Sequence, residues 1–198
     1  MNIIKDQNYI ALDLELNNLK NGKIPKIIEV GVAIGSPAEP DKITTVNWYL
    51  DPEESISPFI TNLTGITDDT IKEKALPHSR VAKELGTLID VYKCYCNPIT
   101  WGQGDAEELK AEFKERNIDF PYFGRRIFDV KTVYVFKQMV KGCSLSGSLK
   151  KAMASYGVRF KGTPHRASVD AENTLRFLFH FLSKERGLYE SLEKLKNF

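Results

Sequence analysis

The sequence predicts an α/β fold with a mixed five-stranded sheet, and three patterns carry that prediction. The first 50 residues hold three runs rich in β-branched and aromatic side chains joined by polar turns, as an antiparallel meander requires. From Asp68 the apolar spacing changes to the three-and-four repeat of amphipathic helices. Beyond that, two short strand-like runs alternate with helical segments.

In order, the first strand is Tyr9 to Leu16. It alternates from Leu12 onward, so Asp13 and Glu15 share one face while Leu12, Leu14 and Leu16 share the other. A polar turn from Asn17 to Pro25 leads to a second strand, Lys26 to Ile34, and Gly35 to Asp41 leads to a third, Thr44 to Leu50. Helices follow over Asp68 to Lys74 and Ser79 to Lys93, the latter with Val81, Leu85, Leu88 and Ile89 at helical spacing. Asn97 to Gly102 reads as a short fourth strand ending at glycines, and Asp105 to Glu115 as a helix with Leu109 and Phe113 four apart. Arg126 to Val130 reads as the fifth strand. Helices near Thr132 to Met139, Leu145 to Tyr156 and Val169 to Lys184 complete the pattern, with Gly142 to Gly147 as a loop. No internal repeat or linker-like composition divides residues 1–198, so one domain is expected.

Bulk composition excludes more than it identifies. Formal charge is only +2, so any nucleic-acid binding must come from a local basic surface. Cys94, Cys96 and Cys143 are an odd set with no second CxxC pair and no nearby histidine, which argues against a disulfide framework and a structural zinc site. The first residues lack a basic stretch followed by an apolar run, and no apolar segment reaches membrane-spanning length. A soluble, cytoplasmic protein without a membrane partner is the expectation.

The chemistry lies in three short clusters: Asp13 with Glu15, then Asp105, then His165 with Asp170. Two carboxylates two residues apart on a strand point the same way and can approach one hard cation, Mg²⁺ or Mn²⁺. Taken singly, each cluster has a plainer reading. Asp-x-Glu also suits the solvated face of an edge strand, Asp105 and Asp170 also suit helix starts, and His165 could be a surface histidine. Their joint occurrence, with an amphipathic helix after each aspartate, favours a common site.

With these residues in place the chain resembles the DEDD 3′→5′ exonucleases, in the histidine subgroup (DEDDh). Asp13-Leu14-Glu15 matches the first family motif, Asp105 in Trp101-Gly102-Gln103-Gly104-Asp105 the second, and His165-Arg166-Ala167-Ser168-Val169-Asp170-Ala171, followed by Thr174, the third. Between them, Leu63-Thr64-Gly65-Ile66 looks like the family's Leu-Thr-Gly-Ile segment after the third strand. The Trp-Gly element before Asp105 is similar to a stand-alone branch acting on histone-message ends and small structured RNAs. One departure is that Leu16 and Asn17 follow Glu15 where relatives often carry threonine or Thr-Gly.

The resemblance implies a ribonuclease-H-like fold. It also implies two Mg²⁺ or Mn²⁺ ions on Asp13, Glu15, Asp105 and Asp170, with His165 as base on a loop hinged at Lys161-Gly162-Thr163-Pro164. The implied reaction is hydrolysis from the 3′ end of single-stranded RNA or DNA, releasing nucleoside 5′-monophosphates. Leu63 and Thr64 are expected to meet the last base and sugar, and Leu16 and Asn17 the 3′ nucleotide through backbone groups. Lys150, Lys151, Arg159, Lys161 and Arg166 could follow the phosphates, although a solvated surface serves as well for most of them. Asp129 is assigned no catalytic duty.

Three other readings stay open. A catalytically silent nucleic-acid-binding module of the same fold would be expected to lose one of the five chemical residues. A phosphatase-like metal hydrolase would not explain Leu63 to Ile66 or the histidine motif. A polymerase proofreading subunit would keep the same chemistry.

Overall fold

A computed structural model of the chain describes residues 7–19, 24–120, 123–143 and 147–196. Residues 20–23 of the expected first turn, and 144–146 with the expected helix start at Leu145, lie outside the described residues.

Strands β1 (Tyr9–Asn17), β2 (Lys26–Gly35) and β3 (Thr44–Tyr49) form the predicted antiparallel meander. Strands β4 (Ile99–Thr100) and β5 (Phe128–Asp129) add in parallel beside β1, giving the order β3-β2-β1-β4-β5. The central strand β1 is thus where the antiparallel and parallel halves meet.

The side-chain period of two sorts each strand. Ile10, Leu12 and Leu14 of β1, with Val30, Val32 and Ile34 of β2, pack under α3 (His78–Val91) and α4 (Asp105–Glu115). On the other face, Ala11 and Ala33 meet α5 (Val130–Lys141), α6 (Leu149–Ser155) and α7 (Ala167–Lys196) through Tyr134, Met153, Leu175 and Phe177. The second face is built from small residues where α7 crosses. At Gly31 the helix lies so close that an added Cβ would sit 2.1 Å from the Ala167 carbonyl carbon and the Ser168 nitrogen.

Several features differ from the sequence reading, each for a local reason. A helix not expected there, α1 (Pro58–Thr64), forms because Ser57 caps the Ile60 amide at 3.2 Å, Pro58 suits the first helical position, and Gly65 closes the end at φ 76°. The first predicted helix, here α2 (Asp68–Lys74), has the expected bounds, with Thr67 as its cap. The fifth strand is cut to two residues because Asp129 caps α5, accepting from the Lys131 and Thr132 amides at 2.8 and 3.2 Å. Helix α7 runs past Lys184 to Lys196, and a register shift between Glu15 and Leu16 leaves Ile28 unpaired with β1. Ile28 joins Ile56, Ile60, Ile66 and Ile71, fastening α1 and α2 to the sheet.

Candidate active site

Strand parity places Asp13 and Glu15 on the face that α7 covers, beside the cross-strand partners Gly31 and Glu29. Because Gly31 lets the helix approach, Asp170 in its first turn reaches the same spot. Asp13, Glu15 and Asp170 each offer a carboxylate oxygen, and these lie within 4.8 Å of one another. With His165 they line a cavity of about 430 Å³ together with the apolar side chains of Trp101, Leu149, Phe160 and Pro164, and Lys150 adds a cation.

Asp105 arrives from the parallel half of the sheet. The capping position of α4 is held by Gly104, at φ 119°, and not by Asp105. The turn that delivers it is fixed from below, since the Gly102 amide donates to Asp129 Oδ1 at 2.9 Å and Thr100 Oγ1 donates to the Gly102 carbonyl at 2.6 Å. Asp105 is outside the three-oxygen group yet near enough for its charge to act on both Asp13 and Glu15.

Carboxylates gathered this way disfavour their own ionisation. Burial first, then the charges of Asp105, Asp170, Glu15 and Glu29, push Asp13 well above the usual carboxylate range. Burial and the charges of Asp170, Glu29 and Asp105 raise Glu15 to about 8, against a smaller opposing pull from Arg166. Burial raises Asp105 to about 7 with help from Glu108 and Glu107. Asp170 is also raised by burial, partly offset by the amide of His165. Oxygen donors with unrelieved negative charge at this density are what a divalent cation neutralises, so the residues fit the hard-metal expectation.

His165 is exposed, with φ 63°, a backbone region that non-glycine residues seldom occupy. Its amide donates to Asp170 Oδ2 at 2.7 Å, so the histidine and the aspartate are tied together.

Other expected residues sit differently. The Asn17 side chain is buried, donating to Glu54 and the Ser55 carbonyl and accepting from the Ser57 amide, which anchors the loop before α1. Thr64 is buried too: its hydroxyl donates to the Ile60 carbonyl and accepts from the Ile66 amide. Leu63 is the exposed member of that pair, and Leu16 packs half-buried beside Leu12 and Leu14. None of these four lines the 430 Å³ cavity.

Arg166 is not free to follow a phosphate chain. It forms a 2.9 Å ion pair with buried Glu29 and donates to the Tyr49 hydroxyl, while Glu29 Oε2 also accepts from the Ala167 amide at 3.0 Å. Glu29 thereby caps α7 from another strand. The sequence reading missed it because its partners lie about 137 positions away, although a glutamate in an apolar central strand was itself a signal.

The match to known families is decisive here: residues 10–178 match the RNase T-type exonuclease family. The chain belongs to the exonuclease family. A curated relative of this family domain, the 3′-5′ exonuclease DinG of Bacillus subtilis strain 168, is 27% identical over 197 residues, 96% of this chain and 19% of that protein. The chain therefore spans about a fifth of that relative's length.

Solved structures share the ribonuclease-H-like exonuclease fold. The nuclease domain of 3′hExo, a DEDDh family member bound to rAMP, matches with a TM-score of 0.76 at 18% identity, covering 90% of this chain and 92% of that one. Cell-death related nuclease 4 (CRN-4) matches with 0.77 at 17%, covering 90% and 64%. Among the described residues, no helix is long and apolar enough to cross a membrane.

Proposed function

We propose that residues 1–198 act as one metal-dependent 3′→5′ exonuclease domain that shortens single-stranded RNA or DNA from its 3′ end and releases nucleoside 5′-monophosphates. The observation carrying this reading is the convergence of Asp13, Glu15, Asp170 and His165 on one cavity in a chain of the exonuclease family.

Asp13, Glu15 and Asp170, with Asp105 from α4, would hold two Mg²⁺ or Mn²⁺ ions. Bound there, the ions supply positive charge for the phosphoryl oxygens and the departing 3′ oxygen and help ionise the attacking water. His165 receives the water's proton. Asp170 accepts the His165 amide, so one residue serves as ligand and as tether for the base. Lys150 sits where it can meet a phosphate oxygen. Leu63, exposed on α1, packs against the terminal base, while Thr64 shapes the turn and the backbone of Leu16 and Asn17 faces the sugar. Two similar solved structures, 3′hExo bound to rAMP and a 3′-exonuclease recognising the 3′ end of a histone mRNA stem-loop, make RNA the first substrate to test.

The test is incubation of 5′-labelled RNA and DNA oligomers with Mg²⁺, Mn²⁺ or chelator. Stepwise 3′ shortening that requires the metal is expected, and in His165→Ala a fall of about 10²–10⁴ in turnover with binding retained. No shortening of either polymer, or a His165→Ala protein as active as wild type, overturns the reading.

A further inference from the structure

The segment carrying His165 is fastened at both ends, by Asn173 before it and by Asp170 and Glu29 after it, and no catalytic step uses Asn173. Asn173 lies one turn beyond Asp170 on α7 and is 0% exposed. Its Oδ1 accepts the Lys161 amide at 2.9 Å and Arg176 Nη1 at 3.3 Å, and its Nδ2 donates to the carbonyls of Lys161 and Val169, both at 2.8 Å. Both acceptor sites and both donors of the amide are therefore engaged. Lys161 is held through its N–H and its C=O together, as a strand residue is held by its neighbour. Arg176 adds a 3.0 Å bond to the Arg159 carbonyl.

At the other end, the His165 amide is held by Asp170, and Arg166 and Ala167 by Glu29. Only Gly162, Thr163 and Pro164 lie between the two fastenings, with Gly162 at φ 77° and closely packed, since an added Cβ would lie 3.0 Å from Val169 Cγ1. The hinge expected over Lys161 to Pro164 is thus shorter than the sequence indicated: Lys161 belongs to the fixed part.

We propose that Asn173 is a positioning residue for His165, clamping the loop along the first two turns of α7 so that the histidine enters the cavity already oriented. This rests on His165 as the base of the proposed exonuclease. The amide acts through Lys161 and the loop, so its loss misplaces the imidazole while leaving the carboxylates where they are.

The experiment compares wild type, Asn173→Ala, His165→Ala and the double variant, with Asn173→Ser as a second way of releasing Lys161. Asn173→Ala is expected to lower kcat about 10–100-fold with KM little changed. It should retain Mn²⁺ affinity by calorimetry and cause no further loss in the His165→Ala background. Additive losses in the double variant, or a parallel loss of Mn²⁺ affinity, overturn the assignment.

Hydrogen exchange provides a readout independent of nuclease activity. The Lys161 and His165 amides should be protected in wild type, and in Asn173→Ala the protection at Lys161 should vanish. Free exchange at Lys161 in wild type overturns the clamp even if the enzyme is active. An inactive wild type with a protected Lys161 overturns the proposed function instead. Should Asn173→Ala fail to fold, Asn173→Ser, whose hydroxyl can still donate to the Val169 carbonyl but does not reach Lys161, carries the same comparison, with kcat expected to fall and no added loss beside His165→Ala; additive loss there overturns the clamp.

Discussion

Two glutamates, one on each side of the sheet, are almost equally hidden, Glu112 at 7% and Glu15 at 9% exposure, yet their charges fare oppositely. Burial pushes Glu112 up, but the bond to His78 Nε2 at 2.8 Å, the Ile27 amide at 3.1 Å and the charges of His78 and Arg116 together hold it below the ordinary glutamate value. Glu15 meets carboxylates instead and rises to about 8. Glu112 is a satisfied part of the framework, whereas Glu15 sits among carboxylates that the weaker pull of Arg166 does not offset. A buried acid set mainly among acids is a candidate site; one whose partners are donors marks a joint.

The sharpest way to break this contrast is a matched pair of isosteric changes. Glu15→Gln should abolish metal-dependent turnover, a loss of at least about 100-fold, while raising the melting temperature of the metal-free protein. Glu112→Gln should do the reverse, destabilising the fold by about 1–3 kcal/mol and leaving turnover at the wild-type level. Thermal melts with and without Mn²⁺, run beside the oligomer assay, read both, and the same outcome for the two variants would erase the distinction.

Next in size is Gly31→Ala, which moves α7 without altering any carboxylate. With its Cβ 2.1 Å from the α7 backbone, the helix must shift. A destabilisation of about 1–3 kcal/mol is expected, together with weaker Mn²⁺ binding by calorimetry because Asp170 moves away from Asp13.

The pH dependence separates the two acids by sign. Glu15 keeps its proton in the folded chain from about 4.5 to about 8, where the unfolded chain has lost it. Folding then takes up a proton, so metal-free stability falls as pH rises across that window, by at most about 1.4 kcal/mol per pH unit for each such group. Glu112, held below its ordinary value, contributes stability above about 4.5 that is lost as the solution becomes more acidic. Melting scans from pH 4 to pH 8 should therefore show a decline on the alkaline side that Glu15→Gln reduces, and stabilisation by Mn²⁺ that grows with pH.

The smallest effect is expected from Leu63→Ala, which lies outside the carboxylate group. Loss of an apolar contact with the terminal base should raise KM by roughly tenfold or less with kcat nearly unchanged in steady-state assays.

Much of the site was legible because it is local. Parity along β1 put Asp13 and Glu15 on one face, and the spacing of Leu109 and Phe113 located the helix that begins at Asp105. The short helix Pro58–Thr64 escaped because seven residues show too little periodicity, although Ser57-Pro58 and Gly65 were its capping signals. Asp129, read as an ordinary strand residue, ends the fifth strand by capping α5 and steadies the turn before Asp105.

The sequence by itself determined the strand order of the meander, the face on which the acids stand and the family motifs, since each depends on residues within a turn or two of one another. Tertiary structure decided that Asp13, Glu15, Asp170 and His165 share one cavity, that Arg166 joins Glu29 and that Asn173 holds Lys161. It also decided that Glu15 and Glu112 differ in charge. Desolvation and Coulomb interaction depend on distance in space, and the groups that set them come from strands and helices far apart along the chain.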